Sequence, residues 1–253
     1  MTFLGVIPAR YASTRFPGKP LVEIAGISMI KRVYDQVDGV LDYTLVATDD
    51  KRIYDHVKEF GGNVVMTSQD HKSGTDRCWE AYNKLGLEFD VIVNIQGDEP
   101  FIQQHQIELL KSCFESGGAT VHLATLVKPF EMGCDFEIIF NPNTPKVVIN
   151  NDSEAIYFSR SVVPYFRGAD WKEWSQNHTY YKHIGLYAYR SNILGEITSL
   201  PQSSLEIAES LEQLRWIENG YKIKVAITNC ETIGIDTPED LVKAENLLGG
   251  LCE

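Results

Sequence analysis

Arg10, Arg15 and Lys19 stand close together in the segment Pro8-Ala-Arg10-Tyr-Ala-Ser13-Thr-Arg15-Phe-Pro17-Gly18-Lys19-Pro20. In a chain of net charge −12, three clustered cations reverse the local field, and the chemistry such a field serves is the binding of phosphate oxygens. An arginine presents a planar fork to two oxygens at once, and a lysine supplies a mobile point charge. Gly18 lets the backbone come near a ligand. The segment is not a Walker-type phosphate loop, because no glycine stands at the required spacing before Gly18-Lys19. A solvated surface loop explains one basic residue well and three poorly.

A second candidate is Asn94-Ile-Gln96-Gly97-Asp98-Glu99-Pro100. A carboxylate beside a phosphate site is repulsive unless a cation intervenes, and Mg2+, held by one or two carboxylates plus phosphates, is the natural one. Gly-Asp is also a common turn, so Asp98 alone leaves both readings open. Asp236, in Gly234-Ile-Asp236-Thr-Pro-Glu-Asp240, has two readings as well. It is a second metal carboxylate, or it complements the dipole of the helix that follows, and spacing by itself favours the dipole. Ser73-Gly74-Thr-Asp-Arg77 opens a helix whose first amides can bind an anion. There Arg77 either meets the carboxylate of a sugar acid or faces solvent. None of the six histidines has a zinc-site spacing. His183, in Tyr181-Lys-His183-Ile-Gly-Leu-Tyr187, is a ligand contact or, as a lone histidine more commonly is, a satisfied structural residue. Leu205, Leu211 and Leu214 read as core.

These residues must be positioned by the elements around them. Short apolar runs at 3–8, 43–48, 63–66 and 91–95 alternate with amphipathic segments at 28–37, 52–60, 75–85 and 104–115. This β-α-β-α order predicts a Rossmann-like α/β fold with a mostly parallel sheet covered by helices on both faces. Loops leaving the strand C-termini then share one edge, where ligands sit. Arg10 and Asp98 both fall on that edge. Strands are also predicted at 119–127, 146–149, 155–159, 183–189 and 223–226, with one long helix at 204–219. A last helix is capped by Thr237, with Pro238 at its first position. The whole chain, 1–253, reads as a single domain carrying an arm-like, mixed-sheet insertion around 127–190.

Composition narrows the function classes. Thirty-five acidic residues against 23 basic ones argue against a protein that coats nucleic acid. Five cysteines, with no C-x-x-C pair, suit free thiols in a reducing compartment. No signal peptide and no membrane-spanning apolar run is read, so a cytoplasmic location is expected.

Taken together, the motifs resemble the CMP-Kdo synthetases, sugar nucleotidyltransferases that act on 3-deoxy-manno-octulosonate (Kdo). The resemblance rests on eight motifs in order along almost the whole chain. They are IPARYASTRFPGKPL at 7–21, VATDD at 46–50, SGTDR at 73–77, NIQGDEP at 94–100, AIYFSR at 155–160, YKHIGLYAYR at 181–190, AESLEQLR at 208–215 and IDTPEDL at 235–241. The segments 128–145 and 168–176 match no such pattern. The resemblance implies that the anomeric hydroxyl of Kdo attacks the α-phosphorus of CTP, giving CMP-Kdo and pyrophosphate for lipopolysaccharide synthesis. It implies a Mg2+ requirement and a homodimer. Arg10, Lys19 and Asp98 are then catalytic. Ala9, Arg10, Ser13, Arg15, Lys19 and Ser73 bind CTP, and Arg77, Gln96, His183 and Gln213 the sugar acid. Asp98 and Asp236 hold the metal. The rival readings are transfer of CMP to another sugar acid, such as sialic acid or 8-amino-Kdo, and a nucleotide-binding regulator without the chemistry.

Overall fold

The computed structural model describes residues 1–12, 16–231, 234–235 and 237–249. The chain divides into two compact units, one of Met1–Glu108 with Thr232–Glu253 and one of Leu109–Glu231. The whole of 127–190, read from sequence as an arm, lies in the second.

The first unit is built by strict alternation. Strand β1 (Phe3–Ala9) is followed by a two-stranded ribbon, β2 (Glu23–Ile24) and β3 (Ile27–Ser28). Then come α1 (Met29–Val37), β4 (Tyr43–Thr48), α2 (Lys51–Glu59), β5 (Val64–Met66), α3 (Gly74–Leu85) and β6 (Val91–Asn94). The strands β6, β1, β4 and β5 lie side by side in that order, all parallel. β1, β4 and β6 are buried along nearly their whole lengths. A strand buried at successive residues is covered on both faces, as parallel sheets are. Helix α1 buries Met29, Ile30, Val33, Tyr34 and Val37, the stripe its periodicity predicts. Full burial of each such large apolar side chain is worth about 1.5–3 kcal/mol.

Helix α4 (Gln104–Gly117) runs across the division between the units. The second unit then contains β7 (Leu123–Pro129), α5 (Phe136–Phe140), β8 (Lys146–Ile149), β9 (Ala155–Ser159), α6 (Trp174–Asn177) and β10 (Tyr181–Arg190). It continues with α7 (Ser191–Thr198), α8 (Ser204–Glu209), α9 (Gln213–Glu218) and β11 (Ile223–Ile227). Here β7 pairs with β11 in parallel and with β10 antiparallel, while β8 joins β10 and β9 antiparallel. This is the mixed sheet expected from sequence. Helix α10 (Pro238–Gly249) returns to the first unit. Its Thr237 hydroxyl accepts from the Asp240 amide at 3.3 Å, and the Asp240 carboxylate accepts from the Thr237 amide at 3.1 Å. This reciprocal cap places Pro238 first in the helix, as the sequence predicts.

Two predicted elements differ. The helix predicted at 204–219 is two helices, α8 and α9, separated at Ser210, whose φ is 51°. The break lets Glu206 and Arg215 form a buried ion pair at 3.0 Å. Nine residues along a continuous helix rise by about 13.5 Å, so the two side chains meet only if the helix breaks between them. The strand predicted from Ala119 begins at Leu123, because Gly118–Thr120 form a 3-10 turn. The guanidinium of Arg190 donates to the Gly118 carbonyl at 2.7 Å and holds that turn.

Candidate active site

Three loops of the first unit meet at the C-terminal edge of its parallel sheet. One follows β1 and contributes Pro8, Ala9 and Arg10, then Lys19 and Pro20 from the 3-10 turn Lys19–Leu21. Another precedes and opens α3, with His71, Lys72, Ser73, Gly74 and Arg77. The third follows β6, with Gln96, Gly97 and Asp98. Together they enclose a cavity of about 240 Å³. Neighbouring parallel strands end on the same side, which is why β1 and β6 deliver residues 88 positions apart in sequence, Arg10 and Asp98, to one place.

The close approach of these loops depends on glycine. A Cβ on Gly97 stands 2.8 Å from the Pro8 carbonyl oxygen, a backbone atom that cannot swing aside. Gly18 adopts φ 73° and donates its amide to the Tyr11 carbonyl at 2.9 Å, which folds the basic loop back on itself. The Tyr11 ring is in turn covered by the Arg52 guanidinium, 3.3 Å from its centroid.

Two cations of the basic loop, Arg10 and Lys19, line this cavity. Lys19 Nζ meets Asp98 Oδ2 at 2.7 Å, and the lysine side chain is 12% exposed. Arg10 lines the same cavity and is solvent-exposed. At α3 the Ser73 hydroxyl accepts from the Asp76 amide at 3.1 Å, so it caps the helix whose N-terminus lines the cavity. That end carries the positive pole of the helix dipole. Arg77 is 4% exposed, and both of its amino groups are engaged, with Thr67 at 2.6 Å and Asp49 at 2.7 Å. It anchors the start of α3 to the residues that follow β4 and β5. The solvent-facing alternative for Arg77 is therefore corrected. Its burial on the helix face outweighs its charge because Asp49 compensates it.

Sequence reasoning did not single out His71 or Lys72. His71 lines the cavity, and its Nε2 bonds the Glu80 carboxylate, one helical stretch further on. Burial works against ionisation of Glu80. Lys84, the Ser68 amide and His71 nonetheless hold its carboxyl down to about 2. The signal was His71's place two residues before the Ser73-Gly74 motif. Glu99, beside Asp98, is pushed up to about 8 by burial and by the Asp98 charge.

Ser13, Arg15 and Asp236 fall outside the described residues. Their neighbourhood is nevertheless informative, because the amide of Ile235 donates to the Asp98 carbonyl at 2.9 Å. Ile235 is fully buried in a cluster with Ile24, Met29 and Ala244. Thus the chain segment carrying the second candidate carboxylate is tied by its backbone to the first.

The remaining two site candidates belong to the second unit. His183 lies on β10, with the rings of Phe158 and Tyr187 each 5.2 Å away by centroid. Desolvation pushes its pKa from 6.5 to about 3, so it is neutral. Gln213 begins α9 and is 4% exposed, and its Nε2 is buried without a hydrogen-bond partner among the described residues. An orphaned buried donor costs about 1–3 kcal/mol, which a ligand acceptor offsets.

The profile of the family described as Cytidylyltransferase matches residues 4–223. The chain is 66% identical over 245 residues to a 3-deoxy-manno-octulosonate cytidylyltransferase of Parabacteroides distasonis, covering 96% of this chain and 97% of that one. This chain belongs to the 3-deoxy-manno-octulosonate cytidylyltransferase family. A relative of the same description from Bacteroides thetaiotaomicron is 64% identical, with 98% of each chain covered. Among solved structures, CMP:2-keto-3-deoxy-manno-octonic acid synthetase complexed with CTP superposes with a TM-score of 0.89 at 41% identity. That match covers 99% of this chain and 100% of the other. The α/β architecture and the nucleotidyltransferase class expected from sequence therefore stand. Among the described residues no helix is long and apolar enough to cross a membrane.

Proposed function

We propose that this enzyme joins CMP to Kdo, taking CTP and Kdo to CMP-Kdo and pyrophosphate. The observation that carries the reading is the cavity of the first unit, where Arg10, Lys19 and the start of α3 converge with Asp98. Transfer to phosphorus asks for positioning and for neutralisation of charge on departing oxygens more than for covalent catalysis. Arg10, Arg15 and Lys19 hold the triphosphate and stabilise pyrophosphate as it leaves. Ala9, Ser13 and Ser73 line the nucleotide, and the dipole of α3 adds to the same field. In the second unit His183 and Gln213 offer an acceptor and a donor suited to a polyhydroxylated acid; Gln96 lines the cavity of the first unit. Arg77 acts by fixing α3.

The donor set fits Mg2+. Among the described residues the cavity holds one hard carboxylate, Asp98, with Asp236 next in sequence to a residue hydrogen-bonded to it, and CTP brings phosphate oxygens. A partly exposed pair such as Lys19–Asp98 contributes about 0.2–1 kcal/mol, too little to withhold the carboxylate from a divalent cation. Bound there, the ion supplies charge neutralisation at the phosphates. The product serves lipopolysaccharide assembly, and the enzyme works in the cytoplasm as a homodimer. Exposed Met132, Phe140, Tyr165 and Trp171 in the second unit support self-association, and light scattering after gel filtration tests it.

The function is tested by pyrophosphate release with Mg2+ and CTP, given Kdo, 8-amino-Kdo, sialic acid or no sugar, with UTP and ATP in parallel. Release confined to CTP with Kdo is expected. Release with sialic acid alone replaces the sugar, and CTP binding without any release favours a regulator.

A further inference from the structure

Thr125 lies on β7 and is fully buried. Across the β7–β10 pairing its hydroxyl oxygen is 3.0 Å from His183 Nε2 and 2.7 Å from the Leu186 carbonyl oxygen, with the Ile184 carbonyl at 3.4 Å. The register of β10 against β7 shifts between Ile184 and Tyr187, and at this irregularity the Leu186 carbonyl turns to Thr125. A threonine hydroxyl has one proton and two lone pairs, and a carbonyl can only accept. At 2.7 Å the Thr125 proton must therefore point at Leu186; otherwise two lone pairs face each other in a buried site. What remains for His183 is a lone pair, so Nε2 must carry the hydrogen that donates to Thr125. Burial keeps the ring neutral, and a neutral imidazole protonated on Nε2 has an acceptor on Nδ1. No described residue takes that Nδ1, and His183 as a whole residue is half-buried.

We infer that Thr125 is a positioning residue that fixes the tautomer of His183, so that Nδ1 accepts a hydrogen bond from a hydroxyl of the sugar acid. The inference rests on the proposed function for its ligand, but the tautomer is a property of the free protein. Fixing it in advance favours a hydroxyl donor over a group that only accepts, which a ring free to exchange tautomers does not do. Thr125 touches neither substrate nor reacting atoms and acts through His183.

The test is 15N NMR of histidine-labelled protein without ligand at neutral pH, with the His183 signals assigned by their absence in His183→Asn. Wild type should show a protonated Nε2 and an unprotonated Nδ1. Thr125→Val should lose that pattern, and Thr125→Ser should restore it. In steady-state assays Thr125→Val should raise KM for Kdo by about threefold to tenfold, the scale of one hydrogen bond, with KM for CTP unchanged. A wild-type spectrum with the proton on Nδ1, or a Thr125→Val spectrum identical to wild type, overturns the inference. If Thr125→Val does not fold, the wild-type and Thr125→Ser spectra still decide the tautomer. A shifted tautomer with an unchanged KM for Kdo overturns the role in sugar binding. If the enzyme also uses a different sugar acid, it is the proposed function that fails, while the spectra still report on Thr125.

Discussion

Lys19 and Lys146 are both lysines withdrawn from solvent, one in each unit, and they do opposite work. Lys19 reaches into an open cavity and meets a carboxylate, Asp98, at 2.7 Å. Lys146 is fully buried, and its ammonium donates to three carbonyls, those of Asn141 at 3.1 Å, Thr144 at 2.9 Å and Arg160 at 2.5 Å. An ammonium has three protons, so Lys146 has no donor left for a ligand. Its charge ties the loop before β8 to the end of β9. Residue type is therefore a weak guide to role. What separates the two lysines is whether the partner groups can exchange for those of a substrate.

The sharpest way to break this contrast is at the carboxylate. Asp98→Ala is expected to lower turnover by about 10²-fold or more, the scale of losing one electrostatic stabiliser, with CTP binding partly kept. Steady-state kinetics beside calorimetric CTP binding measures both. Next is Lys146→Met, which strands three buried carbonyls and should destabilise the protein by about 2–3 kcal/mol in urea unfolding. Activity per folded molecule should hold near wild type. Lys19→Met should do the reverse. Its kcat/KM for CTP should fall by about tenfold, while stability changes by less than about 1 kcal/mol. Should Lys19→Met unfold the protein and Lys146→Met silence it, the assignment of roles is backwards.

The smallest effect concerns Glu80, the anchor of His71. Its folded pKa, about 2, lies below the ordinary 4.5 of a glutamate. A depressed carboxylate stabilises above its unfolded pKa, and that contribution disappears as pH falls through the folded value. Glu80→Gln should thus lose about 1 kcal/mol at neutral pH. Its difference from wild type should shrink as pH drops from about 4.5 towards 2, read by urea midpoints across that range. A difference independent of pH means that the charge of Glu80 is not what matters.

The first unit was legible because its information is local. Each strand is a short apolar run, each helix has its own stripe, and parallel order sends Arg10 and Asp98 to one edge without further assumptions. The second unit was less so. Helix α7 was overlooked, although Ile193, Leu194 and Ile197 are buried along it at helical spacing. The break between α8 and α9 accommodates an ion pair between residues nine apart, Glu206 and Arg215, which periodicity does not encode. The burial of Arg77 depends on Asp49, 28 positions away, and the state of His183 on Thr125, 58 positions away. Such pairings are set by strand order and register, so they emerge only once the sheet is assembled.

In the proposed reaction the cavity beside Arg10, Lys19 and Asp98 directs attack at the α-phosphorus of CTP. The decisive experiment is phosphorus NMR of one reaction containing CTP, Kdo, Mg2+ and enzyme. Equal amounts of a CMP–sugar phosphodiester and pyrophosphate, appearing together and absent with Asp98→Ala, are predicted. Release of inorganic phosphate with CDP, or pyrophosphate formed at full rate by Asp98→Ala, would contradict it.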